Sequence, residues 1–263
     1  MIKNNLNNFT FNGKNSLDYG IAITSANPFN FPEREITKIS IPGHDGDYIQ
    51  SANRYKNVQI SYNCTVIPQT NIFNSLSEQI DSIAEWLYSA TDDYAILTDS
   101  YNLNTYRNAR YVGGLQPTKN GLLYSFTVNF DCEPYKFLTT NNNIIKEITA
   151  DNLDISLNNY NARGSVPLIK LTPHSTDVIG MSFSLNNINW FFAVNCTVTV
   201  DCKTGKVYTD DGFAFYHNGN ANVFIPPTSP TMPILKCGIN NLHIDSNIIS
   251  NISKIEIIPR WYK

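Results

Sequence analysis

Polar and apolar residues alternate strictly in two stretches of the chain. In VQISYNCTV, Val58, Ile60, Tyr62, Cys64 and Val66 take one side and Gln59, Ser61, Asn63 and Thr65 the other. In LLYSFTVNFDC, Tyr124, Phe126, Val128, Phe130 and Cys132 alternate with Ser125, Thr127, Asn129 and Asp131. A period of two belongs to an extended strand with one covered face, so both stretches predict half-buried antiparallel strands. Between them the period changes. In SLSEQIDSIAEWLYSA, about 100° per residue brings Leu76, Ile80, Ile83 and Leu87 into one narrow stripe and leaves Ser77, Asp81, Ser82 and Glu85 away from it. This predicts a helix that packs one face on a sheet. Ser75 followed by Glu78 is a capping box for its start, and Trp86, at the stripe's edge, reads as an aromatic at the rim of the core.

Beyond Pro134 the pattern becomes one of short alternating runs. SVPLIKLT, MSFSLNN, WFFAVNCTVTVD, GKVYTDDG, NVFIPP and ISKIEIIPRW are separated by Gly, Asn, Asp and Pro, with no further helical period. Short strands with frequent turns predict an antiparallel sandwich. The Asn-rich FLTTNNN between the two regimes reads as a linker. The expected architecture is therefore mainly β with two domains. Residues 1–137 form a sandwich-like domain with one helix, 138–143 a linker and 144–263 an all-β sandwich. A length of 263 residues accommodates two cores.

ITKISIPGHDGDYIQS poses a choice. His44 and Asp45 stand side by side between Gly43 and Gly46, with Asp47 next, and an imidazole beside a carboxylate is the material of general acid/base chemistry. The flanks argue otherwise. Ile36, Ile39 and Ile41 precede the glycines and Tyr48 and Ile49 follow, with Pro42 and an Asp-Gly pair between, which reads as strand, turn, strand.

Composition narrows the function. A net charge of −3 with scattered Lys and Arg leaves no basic stripe for nucleic acid. No apolar run reaches the roughly 18 residues of a membrane span, and MIKNNLNNFTFNG lacks the apolar core of a signal peptide; the expectation is a soluble protein made in the cytoplasm. The four sequons at Asn8, Asn63, Asn195 and Asn251 are then chance matches. Five cysteines without a Cys-x-x-Cys spacing argue against both a disulfide framework and a structural zinc. Cys196 and Cys202 share one side of a strand roughly 20 Å apart, and read as core packing.

His44, His174, His217 and His243 occur singly, without zinc spacing. KTGK at 203–206 lacks the spacing of a phosphate loop and reads as a hairpin turn; TDDG at 209–212 lacks the calcium-loop pattern. Asp92 with Asp93 and Asp210 with Asp211 are adjacent acids, which cannot by themselves flank a bond from two sides. No nucleophile signature is present. An enzyme is not expected, and no cofactor is implied.

The order of features, more than any one motif, carries a resemblance. FTFNGKNSLDYGIAI, REITKISIPGHDGDYI, a strand, a helix with EWL, and FTVNFDCEPYKF resemble the N-terminal domain of the distal tail protein (Dit) of long-tailed bacteriophages. NARGSVPLIKL, VTVDCKTGKVY, ILKCGINNLHI and ISKIEIIPRWYK resemble the galectin-like or carbohydrate-binding-module-like domain of the same family. The resemblance implies a virion protein, assembled in the host cytoplasm. It further implies a six-membered ring at the end of the tail tube, N-terminal domains lining it and C-terminal domains projecting outward. Its partners would be the tube protein, a tail-associated hub protein and, in many phages, receptor-binding proteins, with DNA passing a lumen that does not hold it.

On this reading Gly43, His44, Asp45, Gly46 and Asp47 form a turn on the ring-forming domain, with His44 where the family commonly has a basic residue. They and FTFNGKNSLDYGIAI are the expected ring contacts. A galectin-like domain also raises sugar binding, with Trp190 and Phe192 of NNINWFFAV as stacking residues. Core packing is favoured for this run, because consecutive strand residues point to opposite faces.

Overall fold

The computed structural model describes residues 6–90, 93–121, 123–139, 143–148, 154–161, 163–174, 179–194, 196–209, 214–215, 232–244 and 252–262. The chain divides into two compact units, Met1–Thr139 and Thr140–Lys263.

The first unit contains strands β1 (Phe9–Phe11), β2 (Lys14–Asn15), β3 (Ile21–Ala26), β4 (Arg34–Ser40), β5 (Asp47–Tyr55) and β6 (Val58–Val66), then helix α1 (Leu76–Tyr88). Strands β7 (Ala95–Asp99), β8 (Thr105–Val112), β9 (Thr118–Asn120), β10 (Leu123–Cys132) and β11 (Phe137–Leu138) follow. A nine-stranded antiparallel sheet runs β2-β1-β7-β8-β10-β6-β3, with β11 on β8 and β9 on β10. Its centre is the pair of alternating stretches: Phe126 lies opposite Cys64, Val128 opposite Tyr62, and Phe130 opposite Ile60. All six are buried. Their polar neighbours hydrogen-bond across the other face, Ser61 Oγ to Asn129 at 2.7 Å and Thr127 Oγ1 to Asn63 at 2.8 Å.

Helix α1 covers the apolar face with Ile83, Trp86 and Leu87. Trp86 lies deeper than a rim position. Its ring stacks between Tyr19 (4.6 Å) and Phe9 (5.5 Å), Phe9 stacks on Tyr62 (5.2 Å), and Nε1 donates to the Phe11 carbonyl at 3.0 Å. The helix is also rotated relative to the expected stripe. Gln79 is buried and Ile80 only half-buried. The reason is a hydrogen-bond demand that periodicity does not register: Gln79 Nε2 donates to the Tyr19 and Ile67 carbonyls and Oε1 accepts from Gln69 N, pairing main-chain groups under the helix. The start is capped as expected by Ser75 Oγ on Glu78 N, while the Glu78 carboxylate accepts from Asn74 N, one residue earlier than in a reciprocal box.

The second unit is all β: β12 (Ile144–Glu147), β13 (Asp154–Asn159), β14 (Leu168–Pro173), β15 (Ile179–Leu185), β16 (Ile188–Val194), β17 (Val198–Asp201), β18 (Lys206–Thr209), β19 (Ala214–Phe215), β20 (Gly238–His243) and β21 (Ile252–Ile258). They form two antiparallel sheets, β12-β21-β14-β17-β18-β19 and β13-β20-β15-β16. Both contribute to one core: Ile169, Leu171, Val198, Val200 and Ile255 from one sheet meet Leu157, Phe183, Trp190 and Leu242 from the other. This is a sandwich. Buried Asn240 holds the turn at its edge, donating to the Lys236 and Gly238 carbonyls and accepting from Lys236 N.

Candidate functional site

Strands β4 and β5 join none of these sheets. They form a hairpin of their own, with Ile36 opposite Ser51, Thr37 opposite Gln50, Lys38 opposite Ile49, Ile39 opposite Tyr48 and Ser40 opposite Asp47. The register shifts between Arg34 and Ile36, where the hairpin leaves its base. Such an irregularity bends a ribbon and strengthens its twist. At the base, Lys56 N donates to the Glu33 carbonyl at 2.9 Å and Tyr55 packs edge-on against Tyr135 at 6.3 Å.

The tip is a turn. His44 N donates to the Ile41 carbonyl at 3.1 Å across Pro42 and Gly43, and Gly43 has φ 81°. Proline second and a left-handed glycine third are the requirements of a type II turn. Gly46, at φ 89°, reverses the chain again before β5. A Cβ at either glycine would meet nothing within 4 Å, so backbone conformation, not crowding, calls for glycine here. His44, Asp45 and Asp47 are exposed. Among the described residues, no third group orients the imidazole as a catalytic base requires.

Opposed residues of a hairpin share a face. Thr37, Ile39, Tyr48 and Gln50 therefore occupy one face, and Ile36, Lys38, Ser40, Asp47, Ile49 and Ser51 the other. Neither is covered: Ile36 and Ile39 are each 41% exposed, Ile49 58% and Tyr48 59%. Ile41 at the tip and Phe29 and Phe31 before the hairpin are exposed as well. A two-stranded ribbon is marginal in water by itself. Apolar residues on both of its faces make it a candidate contact surface.

The other expected site residues lie elsewhere. FTFNGKNSLDYGIAI builds the core of its own unit: Phe9, Phe11, Ser16 and Ile21 are fully buried, so these side chains are withdrawn from any contact. Trp190 presents no open ring face to a sugar. It is 3% exposed and stacks on Phe183 inside the sandwich at 5.3 Å, because its strand position faces the opposing sheet. The side chain of Phe192 lies outside the described residues, as do Asp92, Asp210, Asp211 and His217. Cys202 is buried beside Val198 and Val200, His174 is exposed, and His243 pairs with Asp154 at 2.9 Å. No cluster of His, Cys, Asp or Glu suited to a metal occurs among the described residues. An open groove of about 430 Å³ on the sheet of the first unit is lined by hydroxyls and amides, among them Thr24, Asn63, Ser125, Thr127 and Asn129.

Residues 4–134 match the family described as phage tail protein N-terminal domain. The chain carries a phage tail protein N-terminal domain. It belongs in the tail of a virion. The distal tail protein of phage SPP1, described as a paradigm of the hub adsorption apparatus in phages that infect Gram-positive bacteria, has the same fold. It matches with a TM-score of 0.66 at 14% identity, over 96% of this chain and 98% of its own. A chain of the phage P2 baseplate, in its activated conformation with calcium, matches with a TM-score of 0.51 at 10% identity, over 96% and 97%. These likenesses extend through both units. They bear out the resemblance to distal tail proteins. No curated protein matches the chain by sequence.

Proposed function

We propose that this phage tail protein forms a ring at the distal end of the tail tube, joining the tube to the baseplate hub and to receptor-binding or other tail-associated proteins. The observation that carries this is the β4–β5 hairpin, whose two apolar faces have no core of their own to cover. A ring repeats one heterologous contact, a patch on each copy meeting a different patch on the next, and an arm projecting from a folded body supplies one such patch. Six copies is the number the family resemblance implies. Gly43, His44, Asp45, Gly46 and Asp47 at the hairpin tip belong to this contact. The boundaries follow: residues 1–137 make the ring and the sandwich of residues 144–263, galectin-like by resemblance, serves as a docking platform.

Carriage of sugar by the second unit has less support, since Trp190 is consumed by the core. A channel through the ring passes DNA without retaining it, in keeping with a chain of net charge −3 and no basic run. Negative-stain imaging and light scattering of the purified chain test the proposal. The expected result is a ring in the parent and monomers when residues 35–54 are replaced by a short Gly-Ser bridge. A parent that stays monomeric, or a bridged variant that assembles equally well, overturns it.

A further inference from the structure

A small cleft in the first unit is lined by Leu97, Asp99, Asn102, Tyr106, Arg107 and Lys136, among others. Within it the Asn102 carboxamide is held at both ends. Lys136 Nζ donates to Oδ1 at 2.5 Å, and Nδ2 donates to both carboxylate oxygens of Asp99, at 3.1 and 3.2 Å. Asp99 is fixed in turn: Tyr62 Oη and the main-chain N of Tyr101 and of Asn102 each donate to it at 2.8 Å. One carbonyl bond separates Oδ1 from Cγ, so the Lys136 nitrogen lies within about 3.7 Å of that carbon. This is close to the separation from which a positioned nucleophile reacts. The Phe29 ring lies 5.8 Å from Nζ, and the space left among the lining groups, about 10 Å³, is about that of one water. An amine on the carbonyl side of a carboxamide and a carboxylate on its nitrogen side are the two groups a transamidation needs.

We propose that Lys136 and Asn102 become joined by an intramolecular isopeptide bond. The neutral amine attacks Asn102 Cγ, and Asp99 takes a proton from the attacking nitrogen and delivers it to Nδ2. The Nζ–Cγ bond forms, the Cγ–Nδ2 bond breaks, and ammonia leaves. Amine and amide are exchanged for amide and ammonia, so the step needs no oxidant, nucleotide or other co-reactant. Arg107, 7% exposed, is a second cation in a cleft with one carboxylate, and acylation of Lys136 removes one of the two positive charges gathered there. The bond closes a loop around β8, β9 and β10, and Lys136 stands just before the boundary of the unit at Thr139. Tension entering from the second unit then passes at residue 136 into the connection between β7 and β8, and does not peel β10 from β6 and β8.

Mass spectrometry of the full chain tests it, after the folded protein has been held at about pH 9 to raise the share of neutral amine. The parent should weigh less than its sequence by one ammonia, while Lys136→Arg and Asn102→Ala each keep the full mass of their own sequence. Trypsin should fail to cut after Lys136 in the parent, leaving the peptide that holds Asn102 attached to the one that holds Lys136. Asp99→Asn keeps the shape of the side chain and loses the proton acceptor, and should close the bond about 100-fold more slowly. Closure at the parent's rate in that variant overturns the part assigned to Asp99. The parent's own mass decides on the bond itself, whether or not any variant folds. A parent of full sequence mass, cut normally after Lys136, overturns the proposal and leaves a hydrogen bond only. A loss of ammonia with Lys136 still cleavable, as a succinimide at Asn12 and Gly13 would give, overturns it equally.

Discussion

Asp201 ties the hairpin between β17 and β18 to the end of the chain. Its carboxylate accepts from Lys203 N at 3.1 Å and Thr204 Oγ1 at 3.0 Å, and the Arg260 guanidinium donates to it. Burial alone would push this carboxyl up, but the Arg260 hydrogen bond and charge, with the two donors of the turn, outweigh it and hold the group below its ordinary 3.8. A carboxyl depressed in the folded state contributes stability that is present above the unfolded value and lost as pH falls through the folded one. The parent's second unit should therefore lose stability below about pH 4, and Asp201→Asn should flatten that loss while costing roughly 1–3 kcal/mol at pH 7. Melts from pH 2.5 to 7 check it; equal acid slopes for parent and variant would contradict the pairing. The turn itself was legible in KTGK, since Asp and Gly at its ends announce a reversal. Arg260 was not, because nothing local to it indicates a partner 59 residues away.

At the scale of elements, amphipathic periods located β6, β10 and α1, but a period says which side is apolar and not what else that side must do. Gln79 illustrates the limit: it is polar in sequence yet buried, because the main-chain carbonyls of Tyr19 and Ile67, from two separate segments, need a donor there. Gly20 belongs to the same clamp. It has φ 70°, and a Cβ on it would lie 2.4 Å from the Ile67 carbonyl oxygen and 2.5 Å from Gln79 Nε2. The carbonyl is backbone and cannot step aside, so Gly20→Ala should cost about 2–5 kcal/mol in strain and displaced hydrogen bonds. Ile83→Asp places an unpaired charge in the core and should cost several kcal/mol, whereas Glu85→Lys on the exposed side should change the melt by less than about 0.5 kcal/mol. A Gly20→Ala melt equal to the parent's would mean that the loop yields more readily than its hydrogen bonds imply. The hairpin marks the reverse limit. Its strands were readable from Ile36 to Ile49, but alternation is silent on whether a strand joins the main sheet or leaves it.

For the whole molecule, the change of strand pattern after Pro134 signalled two cores, and each unit has a separate cluster, one around Phe130 and Trp86, the other around Trp190 and Leu171. The order of motifs carried the likeness to distal tail proteins, since pattern and turn chemistry persist where identity to a solved relative is 14%. The contacts proposed between copies were less legible, because a surface that would be covered only on assembly obeys no period within the chain. Separate cores imply separate cooperative units. In the full chain carrying Ile83→Asp, amide exchange should rise across β6, α1 and β10 while β14, β17 and β21 keep the parent's protection. Mild proteolysis of the parent should cut first within residues 138–143, giving fragments of about half the mass each, as exposed polar connections are cut ahead of packed strands. In the Ile83→Asp chain the same digestion should erase the first fragment and spare the second. Loss of protection in both units together would mean that the two cores fold as one, and cuts distributed evenly through the parent would place the boundary elsewhere.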